Sequence, residues 1–150
     1  MQIGHAAVAM AITTYGWDPK TAAVIWLAQF LPNFDAIPIR LGWADEDFHC
    51  TITHTLLFGV LTSLAFYLFG ARYGVFAFIS LMAHYAVDLG SSVGLPLFYP
   101  FWKRKFTFRL WEHTGSWGWA TTKGYYVQKA SWIAEGLVVV FVIYRLFVIL

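Results

Sequence analysis

Hydrophobic residues in this chain run in long blocks rather than in a one-sided stripe. The block 132–150 is almost wholly apolar, broken only by Glu135 near its start and Arg145 near its end. Crossing the hydrocarbon core of a bilayer takes about 20 apolar residues, so this block predicts a spanning helix. The block 54–69, HTLLFGVLTSLAFYLF, carries no formal charge, and 73–89, YGVFAFISLMAHYAVDL, follows it across Gly70-Ala71-Arg72. So short a link predicts a helical hairpin. Two shorter helices are expected ahead of it, an Ala-rich one over 3–14 and a second over 21–31. Between them lies Gly16-Trp17-Asp18-Pro19-Lys20, a strong turn signal. Pro32 is expected to close the second helix.

The remaining stretches are polar or irregular. Residues 33–53 hold Pro38, Gly42 and the acidic run Asp45-Glu46-Asp47, and 90–100 is rich in Gly, Ser and Pro. Residues 101–130 are basic and aromatic, and their Trp and Tyr residues suit headgroup depth. No period-2 alternation is sustained there, so no strand is assigned. The expectation is one domain over 1–150, an all-α integral membrane helical bundle of about five helices: three convincing spans and two short N-terminal helices.

Composition supports a bilayer as solvent. Hydrophobic residues make up 59% and charged residues 12%, against roughly 25% charged in a typical soluble domain. A globule this small cannot hide that much apolar surface. The N-terminus has no basic region ahead of its apolar stretch, so it is not expected to be a cleavable signal. The net charge of +2 is too small to argue for nucleic acid, and the single cysteine, Cys50, allows no internal disulfide.

Threading the elements alternately up and down has a consequence for chemistry. His5, His49, His54, His84 and His113 all map to one end of the bundle, together with Asp35 and Asp88. Neither turn at the other end carries a histidine. The site end also holds most of the basic loop residues, including Arg40, Lys103, Arg104, Lys105 and Arg109, while the far turns hold Lys20 and Arg72. Positive loops prefer the cytoplasm, so the site end is expected at the cytoplasmic face.

His84 and Asp88 are four residues apart, on one helix face. They fit a zinc ligand pair and equally a hydrogen bond pinning two helices. An ionisable residue inside a membrane helix usually faces a functional interior. His49 and His54 flank HCTITHT at a loop-to-helix junction, where a turn would let them converge. Asp35, in LPNFDAIP, lies between two prolines that stiffen it, and an ordinary turn fits it as well. His5 reads as a ligand or a buried structural histidine. Seven such groups at one depth favour a metal site over seven separate roles. Nitrogen and oxygen donors without a thiolate cluster suit zinc or another first-row divalent ion. More than four ligands argue for two ions, a pairing able to act on phosphoesters.

The order His5, LPNFD at 31–35, HCTITHT at 49–55, HYAVD at 84–88 and GLPLFYPF at 94–101 resembles the membrane-bound metal-dependent hydrolase family, which includes LexA-regulated inner-membrane hydrolases. The likeness covers about residues 1–110. It implies metal ligation by His5, Asp35, His49, His54, His84 and Asp88. Two positions depart from the pattern. Asn33 stands where the family usually has an Asp, and Cys50-Thr51 stands where Arg-Gly is usual, which removes a phosphate-binding arginine. The ligand order is also remotely similar to that of zinc-dependent phospholipase C.

The expected function is therefore a phospholipase-like phosphoesterase of the inner membrane, using a divalent metal on a membrane lipid. His113 is the candidate proton donor. The alternative is a non-enzymatic metal-binding membrane protein, either an ion transporter or sensor or a partner-docking adaptor. A transporter should carry polar groups through the midplane to both faces, and the far turns lack them.

Overall fold

The computed structural model describes residues 2–112 and 119–149. Among these residues there are seven α-helices: α1 (Gln2–Thr13), α2 (Pro19–Phe30), α3 (Ala36–Arg40), α4 (Leu56–Tyr67), α5 (Ala71–Asp88), α6 (Trp119–Tyr126) and α7 (Lys129–Ile149). The only pairing of extended backbone among them is one isolated bridge between Leu95 and Phe106. The fold is an all-α membrane bundle.

Three local departures from the sequence expectation have clear causes. First, the chain does not stop being helical at Pro32. Pro19 sits in the first turn of α2, where its missing N–H costs nothing, and Asp18 caps the helix by accepting from the Thr21 N–H at 3.0 Å. Hydrogen bonds from Thr21 hold the Asp18 carboxyl below the ordinary carboxylate range. At Pro32 the helix tightens into a 3-10 turn, Leu31–Asp35, and then continues as α3. Pro19–Arg40 thus forms one apolar helical run of 22 residues, long enough to span. The second N-terminal helix is therefore not short.

Second, the block expected to begin a span at His54 begins its helix later. His54 lies in a 3-10 turn, Ile52–His54, and Thr55 caps α4 by accepting from the Phe58 N–H at 3.1 Å. At about 1.5 Å per residue, the 12 residues of α4 reach only about 18 Å, well short of a core of about 30 Å. α4 is long and apolar enough to cross only when taken together with Glu46–His54, which it meets at 56°, the geometry of a broken span or a re-entrant loop. Third, the basic aromatic segment holds a helix, α6, where no element was assigned.

α5 lies between α2 and α4, and α1 packs on α2, α5 and α7. Ala28, Ala77 and Leu81 form a fully buried core, with Val24, Phe58 and Met82 packed around it. Small residues let the helices approach. A methyl group on Gly59 would press into Met82 and Tyr85, so α4 lies close on α5 there. At the far end, Arg72 Nη2 lies 2.9 Å from Asp18 Oδ2, joining the α1–α2 turn to the α4–α5 turn. Arg145, near the end of α7, stacks over the Tyr15 ring at 4.2 Å and so belongs to that end.

α7 buries only Ser131, Glu135 and Val142. Leu137, Val140 and Phe147 on the same helix are exposed, at 68%, 64% and 81%. An apolar surface of that extent is untenable in water and natural against lipid.

Candidate metal centre

Four elements deliver the polar side chains to one end of the bundle. α1 brings His5, the 3-10 turn after α2 brings Asp35, the segment before α4 brings His49 and His54, and the last turn of α5 brings His84 and Asp88. His5, Asp35, His54 and His84 are nearly or fully buried. The six residues expected from sequence form one connected set. His113 lies outside the described residues.

Asp88 is the hub. Its Oδ1 lies 3.1 Å from His5 Nε2, and its Oδ2 lies 3.1 Å from His84 Nε2 and 3.4 Å from His54 Nε2. The Nε2 atoms of His54 and His84 are 3.2 Å apart. The His5 and His84 rings stack at 4.2 Å with only 11° between their planes, which aims both nitrogens the same way.

The positions of the ring hydrogens follow from what lies behind each ring. His84 Nδ1 is 2.7 Å from the backbone carbonyl of Gln29. A carbonyl only accepts, so Nδ1 carries the hydrogen and Nε2 presents a lone pair. Behind His54, the Thr53 hydroxyl donates to Asp35 Oδ2 at 3.1 Å. It is therefore left to accept from His54 Nδ1–H at 3.0 Å. His54 Nε2 then presents a lone pair too. Two imidazole lone pairs and a carboxylate thus converge in a dry pocket with their hydrogens turned away. With both rings neutral, such a set suits a cation at its centre, whether a metal ion or a proton shared with Asp88, because buried acceptors facing one another are otherwise unsatisfied.

The donor spacing fits a metal. For arms of about 2.0 Å, a tetrahedron has edges of about 3.3 Å, and the triangle of His54 Nε2, His84 Nε2 and Asp88 Oδ2 has edges of 3.4, 3.1 and 3.2 Å, the size of one face. Behind the donors stands the hydrogen-bonded support that orients metal-binding histidines.

Asp35 stands on the other side of His54, so that ring bridges the two carboxylates. Asp35 Oδ1 accepts from His49 Nδ1 at 2.8 Å, and Oδ2 accepts from the Cys50 N–H at 3.1 Å. Cys50 adopts a left-handed backbone, φ 58°, which turns its N–H onto that carboxylate. One donor from each of His49, Cys50 and His54 falls within a 4.8 Å group beside the His5, His84 and Asp88 group. Two neighbouring donor sets are therefore present, and the second includes the buried cysteine.

Several residues of the site were not singled out in the sequence. Gln29, in α2, is fully buried, and its side-chain Nε2 lies 3.4 Å from His5 Nδ1. A glutamine inside TAAVIWLAQFL was the visible signal. Thr53 gave no signal beyond its place between two histidines. Tyr85 donates its hydroxyl to the Thr53 carbonyl at 2.9 Å and so ties α5 to the His54 turn. Glu135, which in the sequence is the charge that breaks the last apolar block near its start, accepts from the Gly4 N–H at 3.0 Å and from the Tyr126 hydroxyl at 3.3 Å. It anchors the first turn of α1 beside His5.

Past α5, the chain folds back against the end of that helix. The Phe108 and Leu110 N–H groups donate to the Leu89 and Gly90 carbonyls at 2.7 and 2.9 Å. A groove of about 920 Å³ opens there, lined by Ser92, Arg109, Trp111, Glu112, Gln128 and Lys129 among others.

No curated protein and no solved structure matches the chain. A membrane bundle with a buried histidine–aspartate cluster at one end is what the fold establishes, and the chain belongs to the family described as YdjM inner membrane protein, which matches it over residues 1–150.

Proposed function

We propose that the chain is a membrane-embedded, metal-dependent hydrolase that cleaves a phosphoester of a lipid. The observation that carries this reading is the convergence of His54 Nε2, His84 Nε2 and the Asp88 carboxylate with their hydrogens directed outward. His5, His54, His84 and Asp88 would hold a divalent ion, zinc by the chemistry of the donors. His49 and Cys50, beside His54, offer a second donor set next to it. A bound ion supplies Lewis acidity and a nucleophile derived from water near neutral pH.

The chain's own groups do the rest. Asp35 and Thr53 hold His54 in one tautomer, and the Gln29 carbonyl does the same for His84. Burial keeps bulk water from competing for the donors. The groove bearing Arg109 and Lys129 is lined also by Ser92, just past the end of α5, and its cations suit a phosphate-bearing headgroup reaching it from the bilayer. The basic residues Arg40, Lys103, Arg104 and Lys105 lie towards this end, and Lys20, Arg72 and Arg145 towards the other. That balance favours the cytoplasmic face for the site.

The test is metal analysis of the purified protein followed by headgroup release from phospholipid vesicles, for wild type and His84→Ala. Bound zinc with release that disappears in the variant is expected. Bound zinc without turnover across a broad phosphoester panel would overturn the hydrolase reading.

A further inference from the structure

Gln29 is a polar side chain beside the proposed ligands that no ligand role explains. It is fully buried in α2. Its backbone carbonyl already accepts from His84, and its side-chain amide faces His5. The direction of that second contact matters. Gln29 Nε2 lies 3.4 Å from His5 Nδ1. An amide nitrogen only donates, so in this arrangement His5 Nδ1 is the acceptor and carries no hydrogen. The His5 hydrogen then sits on Nε2, which donates it to Asp88 Oδ1 at 3.1 Å.

That tautomer is the wrong one for metal binding, because the nitrogen aimed at the pocket is protonated. Ligation through Nε2 needs the hydrogen on Nδ1, and an Nδ1–H needs an acceptor behind it. Gln29 holds that acceptor at the other end of the same amide. Its Oε1 is buried and has no hydrogen-bond partner. A half-turn of the amide, which puts Oε1 in place of Nε2, therefore breaks no hydrogen bond at Oε1 and exchanges the Nε2 contact for one from His5 Nδ1–H.

We infer that Gln29 is a positioning residue that sets the tautomer of His5, its amide turning over when an ion enters the site, so that His5 is ready for ligation only with Oε1 behind it. His54 and His84 stand in contrast, since Asp35 with Thr53 and a fixed carbonyl hold them ready permanently. His5 is the adjustable ligand, and Gln29 is what adjusts it. The inference rests on the metal-site reading above and not on the hydrolytic one.

The experiment uses the full chain in detergent with zinc alone as the probe. Zinc affinity is measured by competition with a chromophoric chelator for wild type, Gln29→Met and Gln29→Glu. Nitrogen NMR of labelled histidines, with His5 assigned from His5→Gln, reads the ring tautomer with and without zinc. Methionine has the length of glutamine and no acceptor, so affinity should fall about 10–100-fold, the usual cost of losing a supporting hydrogen bond. Glutamate always presents an acceptor and should bind at least as tightly as wild type. His5 should change from Nε2–H to Nδ1–H when zinc is added. Wild-type affinity in Gln29→Met, or one unchanged tautomer, would overturn the inference while leaving the metal site standing. A wild-type chain that does not bind zinc would overturn both.

Discussion

His54 and His84 bring their Nε2 atoms to 3.2 Å from each other, with neither nitrogen holding a hydrogen to offer. Two neutral rings so arranged leave both lone pairs unmatched, and a metal ion or an added proton between them removes the conflict. Zinc should therefore stabilise the fold as well as occupy it. At 100 times the dissociation constant a ligand adds about 2.7 kcal/mol of stability. Thermal unfolding in detergent should shift upward with zinc and return on chelation. His54→Ala should remove the shift, and a wild type indifferent to both zinc and chelator would refute the pocket.

Thr53 is a small residue with a large expected effect. Its hydroxyl donates to Asp35 and leaves its lone pair to the His54 ring. Thr53→Val keeps the shape and removes that relay, so His54 is free to place its hydrogen on Nε2. Zinc affinity should fall about 10–100-fold with little change in helix content by circular dichroism. Thr53→Ser keeps the hydroxyl and should restore the affinity. Equal affinity in the valine and serine variants would rule out the relay.

Gly90 marks where the returning segment lies against the end of α5. A Cβ at that position would collide with the Trp111 indole. Relief would require the indole to swing aside, and Trp111 is buried and packed edge-on against Tyr125. Gly90→Ala should cost about 1–3 kcal/mol, as overpacking generally does. It should also alter Trp111 fluorescence, most simply read by comparison with Trp111→Phe. Unchanged stability and emission would mean the segment does not sit on α5.

Much of this site could be read from the sequence because ionisable side chains are conspicuous inside apolar blocks. His5, His54, His84 and Asp88 stood out for that reason, Asp35 through the prolines on either side of it, and an up-and-down threading of the blocks was enough to gather them. The threading succeeded although one helix was ended too early. Pro32 changes the pitch of the chain without reversing it, and no local propensity distinguishes those outcomes. Gln29 and Thr53 stayed hidden for a different reason. Their roles depend on which ring nitrogen each one faces, and that is fixed by packing between α2, α5 and the His54 turn, not by spacing along the chain.

Glu135 links the last helix to the first. Among the described residues of α7 it is the only buried carboxylate, and it accepts the Gly4 N–H at 3.0 Å and the Tyr126 hydroxyl at 3.3 Å. Tyr126 in turn accepts from the Ile3 N–H at 3.1 Å. Amides at the start of a helix have no partner within it, and inside a bilayer they find no water either. α7 supplies what they lack, and the residue after Gly4 is His5. Glu135→Ala leaves buried donors unmatched and should cost about 1–3 kcal/mol. It should also weaken zinc binding, because the turn that carries His5 loses its anchor. Glu135→Gln retains an acceptor oxygen and should lie between wild type and alanine in both measurements. The two losses must appear together in a zinc titration and a thermal melt of the same preparation. A chain that melts early yet binds zinc at full affinity would show that α7 supports the bundle without reaching the site.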